Sequence, residues 1–409
     1  MPSVCFYFQV HQPYRLKPYN CFQIGSDHSY EDEQKDRTLM ERVAQKCYLP
    51  MNALLLKLIS KYDGKFKVAF SISGTAMEQF KKYQPRVLDS FIELFNTGCV
   101  EILSETYYHS LSYNYSKDEF VRQVEKHRSA IKSWCGKTPR IFRNTELIYN
   151  NEIAQTIQTM GYEGIICEGV DRLLGYRSPN YLYHPPKQYE IKCLLKNYRL
   201  SDDIAFRFSD KNWKEFPLQA HRYADWIHES NGEVLNLFMD YETFGEHQWP
   251  ETGIFNFMEH LPGEVLKRPN FDFKTPSELI DSYSVLGEYD VPDFTSWADV
   301  ERDLSAWCGN SLQNDASERI YQLESAVKLT KDEMLIEQWA KLLTSDHFYY
   351  MCTKYWSDGD VHKYFSPYNS PYDAYINFMN VVTDLEQSIN ENVVNLFKQQ
   401  RKLLTPYQP

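Results

Sequence analysis

The 409-residue chain lacks a surplus of basic residues: 44 Lys and Arg stand against 56 Asp and Glu, a net charge of −12. Nucleic acids and anionic membrane surfaces both select basic patches, so neither is an expected partner. No apolar run is long enough to span a bilayer. The N-terminus, MPSVCFYFQVHQP, has no basic leader and no long apolar segment. It reads as a first strand rather than a secretion signal. The nine Cys are scattered singly, with an odd total and no CxxC pair. That fits neither a disulfide framework nor a Cys-based metal site, and points to reduced thiols in a cytoplasmic protein. No Gly-rich phosphate loop of the P-loop or dinucleotide type follows an apolar run.

What is present is a core-forming composition, 43% hydrophobic and 24% charged, with aromatics at 15%. The aromatic surplus of 31 Tyr and 24 Phe serves packing first, but such rings also stack on sugars. The length allows one large domain and a smaller one. The most informative stretch is EVLNLFMDYETFGEHQW, Glu233 to Trp249. Its apolar run ends at Asp240 and reads as a buried strand of the parallel type. Counting Asp240, three carboxylates, a histidine and several aromatics gather there, where α/β folds and barrels collect chemical groups. The plainer reading is a strand followed by a solvated acidic turn.

The same grammar repeats along the chain. Apolar runs at Val4–Val10, Phe66–Ile72, Cys99–Leu103, Arg140–Phe142 and Gly164–Cys167 each end in polar or charged residues. Helical periodicity separates them, as in Lys117–Trp134 and Asn151–Met160. Pro50 is expected to split the helix from Thr38 to Tyr62, and Pro262 with Gly263 to stop the one from Ile254 to Leu261. Strand then helix, repeated, implies a parallel sheet with crossover helices, and a closed barrel of about seven or eight strands fits the length. A Tyr- and Pro-rich stretch at 173–196 reads as an excursion carrying a short strand. The barrel is expected over 1–270 and a C-terminal helical domain over 271–409. A second polar-aromatic cluster, Thr344 to Tyr350, lies in the helical part and could equally be the aromatic face of a core helix.

Several of these segments together resemble glycoside hydrolase family 57, the α-amylase and 4-α-glucanotransferase family. The motifs are His11-Gln12-Pro13, Gly74-Thr75-Ala76-Met77-Glu78, IFRNTELIYN around Glu146, Asp240-Tyr241-Glu242-Thr243-Phe244-Gly245-Glu246-His247 and, more weakly, Ser345-Asp346-His347-Phe348-Tyr349. The resemblance implies an α/β fold, an incomplete (β/α)7 barrel with a C-terminal helical domain that closes over the cleft. It implies an α-glucan substrate, with Glu146 as nucleophile and Asp240 as general acid/base. Sugar-binding positions would fall on His11, Glu78, Glu242 and Asp346, and His247 beside the acid joins them. The FGEH ending looks like the α-amylase branch, which favours hydrolysis of α-1,4-glucans over transfer. Transfer or branching on the same glucans is the alternative.

The chemistry is coherent without the resemblance. A retaining glycosidase needs two carboxyl groups about 5–5.5 Å apart, one to attack and one to shuttle protons. Two strand ends converging on a barrel mouth can supply them. Arg143, three residues before Glu146, would favour an ionised nucleophile, and Glu242 could raise the pKa of Asp240 if it lies near. Metal-dependent barrel hydrolases such as polysaccharide deacetylases need a His pair with an Asp. His109 has no His four residues away and His11 stands alone, so neither metal nor cofactor is expected. A glycan-binding protein that has lost catalysis is a third reading, against which both Glu146 and Asp240 are present.

Overall fold

The computed structural model describes residues 2–188, 190–354 and 366–404. Packing divides the chain into two compact units. The first comprises Met1–Gln12, Arg37–Tyr107 and Arg122–Trp297, and the second Pro13–Asp36, Tyr108–Val121 and Ala298–Pro409.

The first unit is a barrel. Its strands are β1 (Ser3–Val10), β2 (Val68–Ile72), β3 (Val100–Ile102), β4 (Ile141–Arg143), β5 (Gly164–Glu168), β6 (Leu182–His184), β7 (Lys192–Lys196), β8 (Val234–Asp240), β9 (Asp272–Phe273) and β10 (Val285–Glu288). Parallel ladders join β8 to β1, β1 to β2 and β2 to β3. A parallel bridge between Ser104 and Phe142 carries the ring from β3 to β4, and β4 pairs with β5 and β5 with β7. Between β7 and β8 there is no ladder among the described residues. The Asn197 amide donates to the Asn236 carbonyl at 2.9 Å, and the Asn236 side chain to the Leu195 carbonyl at 2.9 Å. Seven parallel strands therefore curve into an incomplete (β/α)7 barrel. β6 runs antiparallel on β7, and β10 lies beyond it.

Strand residues alternate between two faces, and here both faces are buried. Val4, Phe6, Phe8 and Val10 share one outer cluster with helix residues Leu55, Phe80, Phe91 and Met258. Cys5 and Tyr7 point the other way, into a second cluster with Ala69, Ile141, Ile166, Leu194, Val234 and Phe238. Each large side chain buried this way contributes roughly 1.5–3 kcal/mol. This is why the strands read as continuous apolar runs.

Two local expectations change. The stretch at 173–196 does not simply leave the barrel: β7 lies within it and pairs in parallel with β5. Its Tyr and Pro content marks the β6 hairpin and masks the following barrel strand. Ile254–Leu266 continues as one helix through Pro262. The helix expected from Thr38 to Tyr62 does divide just before Pro50: Glu33–Val43 gives way to a π-helical segment, Ala44–Tyr48, and Leu49–Lys61 begins with Pro50 in its first turn, where its missing N–H costs little.

The second unit is helical. Ser311–Gln322, Glu324–Thr330 and Glu333–Lys341 pack with the long helix Pro371–Leu404. The early segment 13–36 belongs to this unit and is pinned to the long helix by buried Asp384. That carboxylate accepts from the Tyr30 hydroxyl at 2.6 Å, the Gly25 amide at 2.6 Å and His28 Nδ1 at 2.9 Å. Residues 355–365 and 405–409 of the expected helical domain lie outside the described residues. Among the described residues no helix is long and apolar enough to cross a membrane.

Candidate active site

On six of the seven ring strands the inward face becomes polar toward the C-terminal end. On β1 the series is Cys5, Tyr7, Gln9; on β2, Ala69, Ser71; on β4, Ile141, Arg143; on β5, Ile166, Glu168; on β7, Leu194, Lys196; on β8, Phe238, Asp240. Register aligns the polar ends, with Gln9 opposite both Ser71 and Asp240, and Glu168 opposite Lys196. The result is an apolar floor under a polar layer at the barrel mouth, where loops after parallel strands hold chemistry.

The polar layer is closely wired. The Tyr7 hydroxyl donates to Gln9 Oε1 at 2.8 Å and lies 2.6 Å from Ser71 Oγ. Gln9 Nε2 donates to Glu105 Oε1 at 3.1 Å. Burial pushes the Tyr7 phenol far up, while the Arg143 charge pulls it down and Glu105 and Asp240 push it up. Arg143, Glu105 and Asp240 are therefore all close enough for their charges to act on this one hydroxyl. The Glu105 amide donates to His127 Nδ1 at 3.1 Å, and His127 Nε2 lies 2.8 Å from the Ile72 carbonyl.

Glu146 follows β4 in a single turn, Thr145–Leu147, with left-handed backbone at Glu146 (φ +56°) and Leu147 (φ +51°). Non-glycine residues pay roughly 1–2 kcal/mol for that region. The turn is held from outside. Tyr149 and Thr295 exchange backbone hydrogen bonds of 2.9 Å as an antiparallel bridge. Two residues on, Trp297 faces Glu146: its amide donates to the Glu146 carbonyl at 3.3 Å and its indole Nε1 to Glu146 Oε2 at 2.7 Å. The Trp297 ring has two cations beside it, Arg143 Cζ at 5.1 Å and Lys196 Nζ at 5.2 Å from its centroid. Lys196 also contacts Asp202 at 3.2 Å and Glu168 at 3.6 Å. Arg143 is fully buried, and none of its guanidinium nitrogens has a hydrogen-bond partner among the described residues.

Asp240 ends β8, across the ring from β4. Glu242 follows in the turn Tyr241–Thr243. It is buried, accepts from the Tyr48 hydroxyl, and has Gln12 Nε2 at 3.5 Å. Burial, reinforced by the Asp240 charge, pushes its carboxyl up to about 8. The like-charge interaction thus favours a neutral Glu242 near pH 7, and a neutral Glu242 has little charge with which to raise Asp240. His247 is buried, and that burial lowers its pKa to about 4, so it is neutral near pH 7. The loop can turn here because Gly245 has φ +109°, and a Cβ on it would fall 1.9 Å from the Lys46 carbonyl oxygen. Glu246 next to it pairs with Arg42 at 2.5 Å.

His11 Nδ1 lies 2.7 Å from Ser73 Oγ, the N-cap of helix Gly74–Tyr83. Glu78, on that helix, accepts from the Tyr107 hydroxyl at 2.8 Å. Gly74 is required there, since any Cβ would stand 2.5 Å from the Tyr107 ring. Asp346 belongs to the second unit, in the short helix Ser345–Tyr349. The first unit therefore gathers Glu146, Asp240, Glu242, His247, His11 and Glu78 on segments that follow barrel strands. Reading by motif missed Trp297, Lys196 and Glu105. Lys196 and Glu105 carried a usable signal, each standing at or just past the end of an apolar run. Among the described residues no group of three or more His, Cys, Asp and Glu is arranged to hold a metal.

Comparison with known proteins agrees with this architecture. The model for glycosyl hydrolase family 57 matches residues 5–292. A protein of Methanocaldococcus jannaschii named "Putative alpha-amylase" is 44% identical over 402 residues, 95% of this chain and 85% of the relative. Among solved structures, the 4-alpha-glucanotransferase of Thermococcus litoralis superposes with a TM-score of 0.66 at 15% identity, over 85% of this chain and 56% of that longer one. A family 57 branching enzyme of Thermococcus kodakaraensis also gives 0.66, at 13% identity and 86% of each chain. At such identities the two structures speak to the fold.

Proposed function

Because the chain belongs to glycosyl hydrolase family 57, we propose that it is a retaining glycoside hydrolase that cleaves α-1,4-glucosidic bonds of starch- or glycogen-type glucans and maltooligosaccharides. Glu146 is the nucleophile and Asp240 the general acid/base. The observation that carries the reading is Glu146 itself: an acidic residue in strained left-handed backbone at a barrel mouth, its carboxylate held by the Trp297 N–H. Strain of this kind concentrates where geometry serves function.

In the first step a Glu146 oxygen attacks the anomeric carbon, the bond to the leaving sugar breaks, and Asp240 gives its proton to the leaving oxygen. In the second, Asp240 takes a proton from water, which displaces Glu146 and restores the enzyme. Neutral groups suit a neutral sugar. Glu242 in its protonated form and uncharged His247 can exchange hydrogen bonds with hydroxyls, as can His11 and Glu78. Asp346 is proposed as a further sugar contact.

Thin-layer chromatography after incubation with maltoheptaose tests this, wild type beside Glu146→Gln and Asp240→Asn. Shorter sugars alone are expected from the wild type, with at least about 10²-fold slower turnover in each variant. Longer sugars in quantity would reassign the enzyme to glucan transfer. Full activity in Glu146→Gln would remove the nucleophile assignment.

A further inference from the structure

We propose that Trp297 is a positioning residue for the nucleophile, aiming one carboxylate oxygen of Glu146 and holding the other. The inference rests on the reading of Glu146 above. Trp297 stands 151 residues beyond Glu146 and meets it twice, backbone to backbone at 3.3 Å and indole Nε1 to Oε2 at 2.7 Å. The second bond decides which oxygen attacks. With Oε2 committed to the indole N–H, Oε1 takes the anomeric carbon. As the C1–Oε1 bond forms and the bond to the leaving sugar breaks, the leaving oxygen takes the Asp240 proton. Oε2 becomes the carbonyl oxygen of the new ester and keeps its donor. A donor that stays with one oxygen from carboxylate to ester needs no reorganisation during the step.

The indole is itself fixed. The Tyr149–Thr295 bridge sets its backbone, and Arg143 and Lys196 lie within about 5 Å of its ring centroid, in the range of attraction between a cation and an aromatic face. Arg143 is fully buried with no hydrogen-bond partner among the described residues, so the Trp297 ring is the compensation its charge has in view. This accounts for a cation at the end of β4 that makes no direct bond to a carboxylate.

The test separates the ring from its N–H. Trp297→Phe removes both the N–H and part of the ring. Replacing Trp297 with 3-benzothienylalanine keeps the bicyclic shape and removes only the donor. With maltoheptaose, both are expected to lower kcat about 10- to 100-fold, the range for a lost hydrogen bond to a charged group, with KM within about twofold. A benzothienyl variant whose kcat falls less than fivefold, or whose loss lies in KM, overturns the inference whatever the Phe variant does. Glu146→Gln is measured alongside: if it turns over like wild type, the reading of Glu146 falls and the inference with it.

Discussion

Glu242 shows how one carboxylate can be shifted by its surroundings. Its unfolded value lies near 4.5 and its folded value is pushed to about 8, by burial first and then by Asp240. A carboxyl raised in the folded state binds more protons folded than unfolded between those values. Its contribution therefore favours the fold at low pH and is lost as pH rises from about 4.5 to 8. Between pH 5 and pH 8 the loss approaches roughly 3 kcal/mol. Glu242→Gln is expected to flatten that slope, so that the variant gains on wild type at pH 8 relative to pH 5. Urea unfolding at the two pH values measures it, and parallel slopes in the two proteins would refute the buried neutral acid. His247 acts in the opposite sense. Its pKa is depressed to about 4 by burial, so its stabilising contribution is lost as pH falls from about 6.5 toward 4.

At the scale of elements, the outcome differs by how local each feature is. The barrel strands were readable because each buries both faces, and the end of every apolar run marks where the inward face turns polar. Asp240 and Glu146 stand out in sequence for that reason. β7 did not, because the Tyr- and Pro-rich hairpin before it obscured its pattern. Trp297 could not be found by such reading: no apolar run leads to it, and its meeting with Glu146 depends on a bridge formed between segments far apart in the chain. Gly245 could be seen in its motif, but not why glycine is needed, since the obstacle is the carbonyl of Lys46. In the second unit, Asp384 closes three hydrogen bonds with the segment 13–36. Asp384→Ala is expected to cost about 2–4 kcal/mol by leaving those donors unpaired. Hydrogen exchange reads it as faster exchange around Gly25, with barrel strand amides unchanged. Unaltered protection there would show that the segment is held by other contacts.

For the whole molecule, the incomplete barrel places chemistry at the ends of non-adjacent strands. β4 leads to Glu146 and β8 ends in Asp240, so the ring, and not either loop, sets the distance between them. A net charge of −12 is compatible with a neutral polymer as substrate. As nucleophile, Glu146 forms a covalent bond to sugar in the proposed first step. The most direct measurement is peptide mass spectrometry after incubation with 5-fluoro-α-D-glucosyl fluoride, which is expected to find one fluoroglucosyl group on the peptide containing Glu146. A label on another carboxylate, or unlabelled protein that still hydrolyses maltoheptaose and is not inactivated by the reagent, would contradict it.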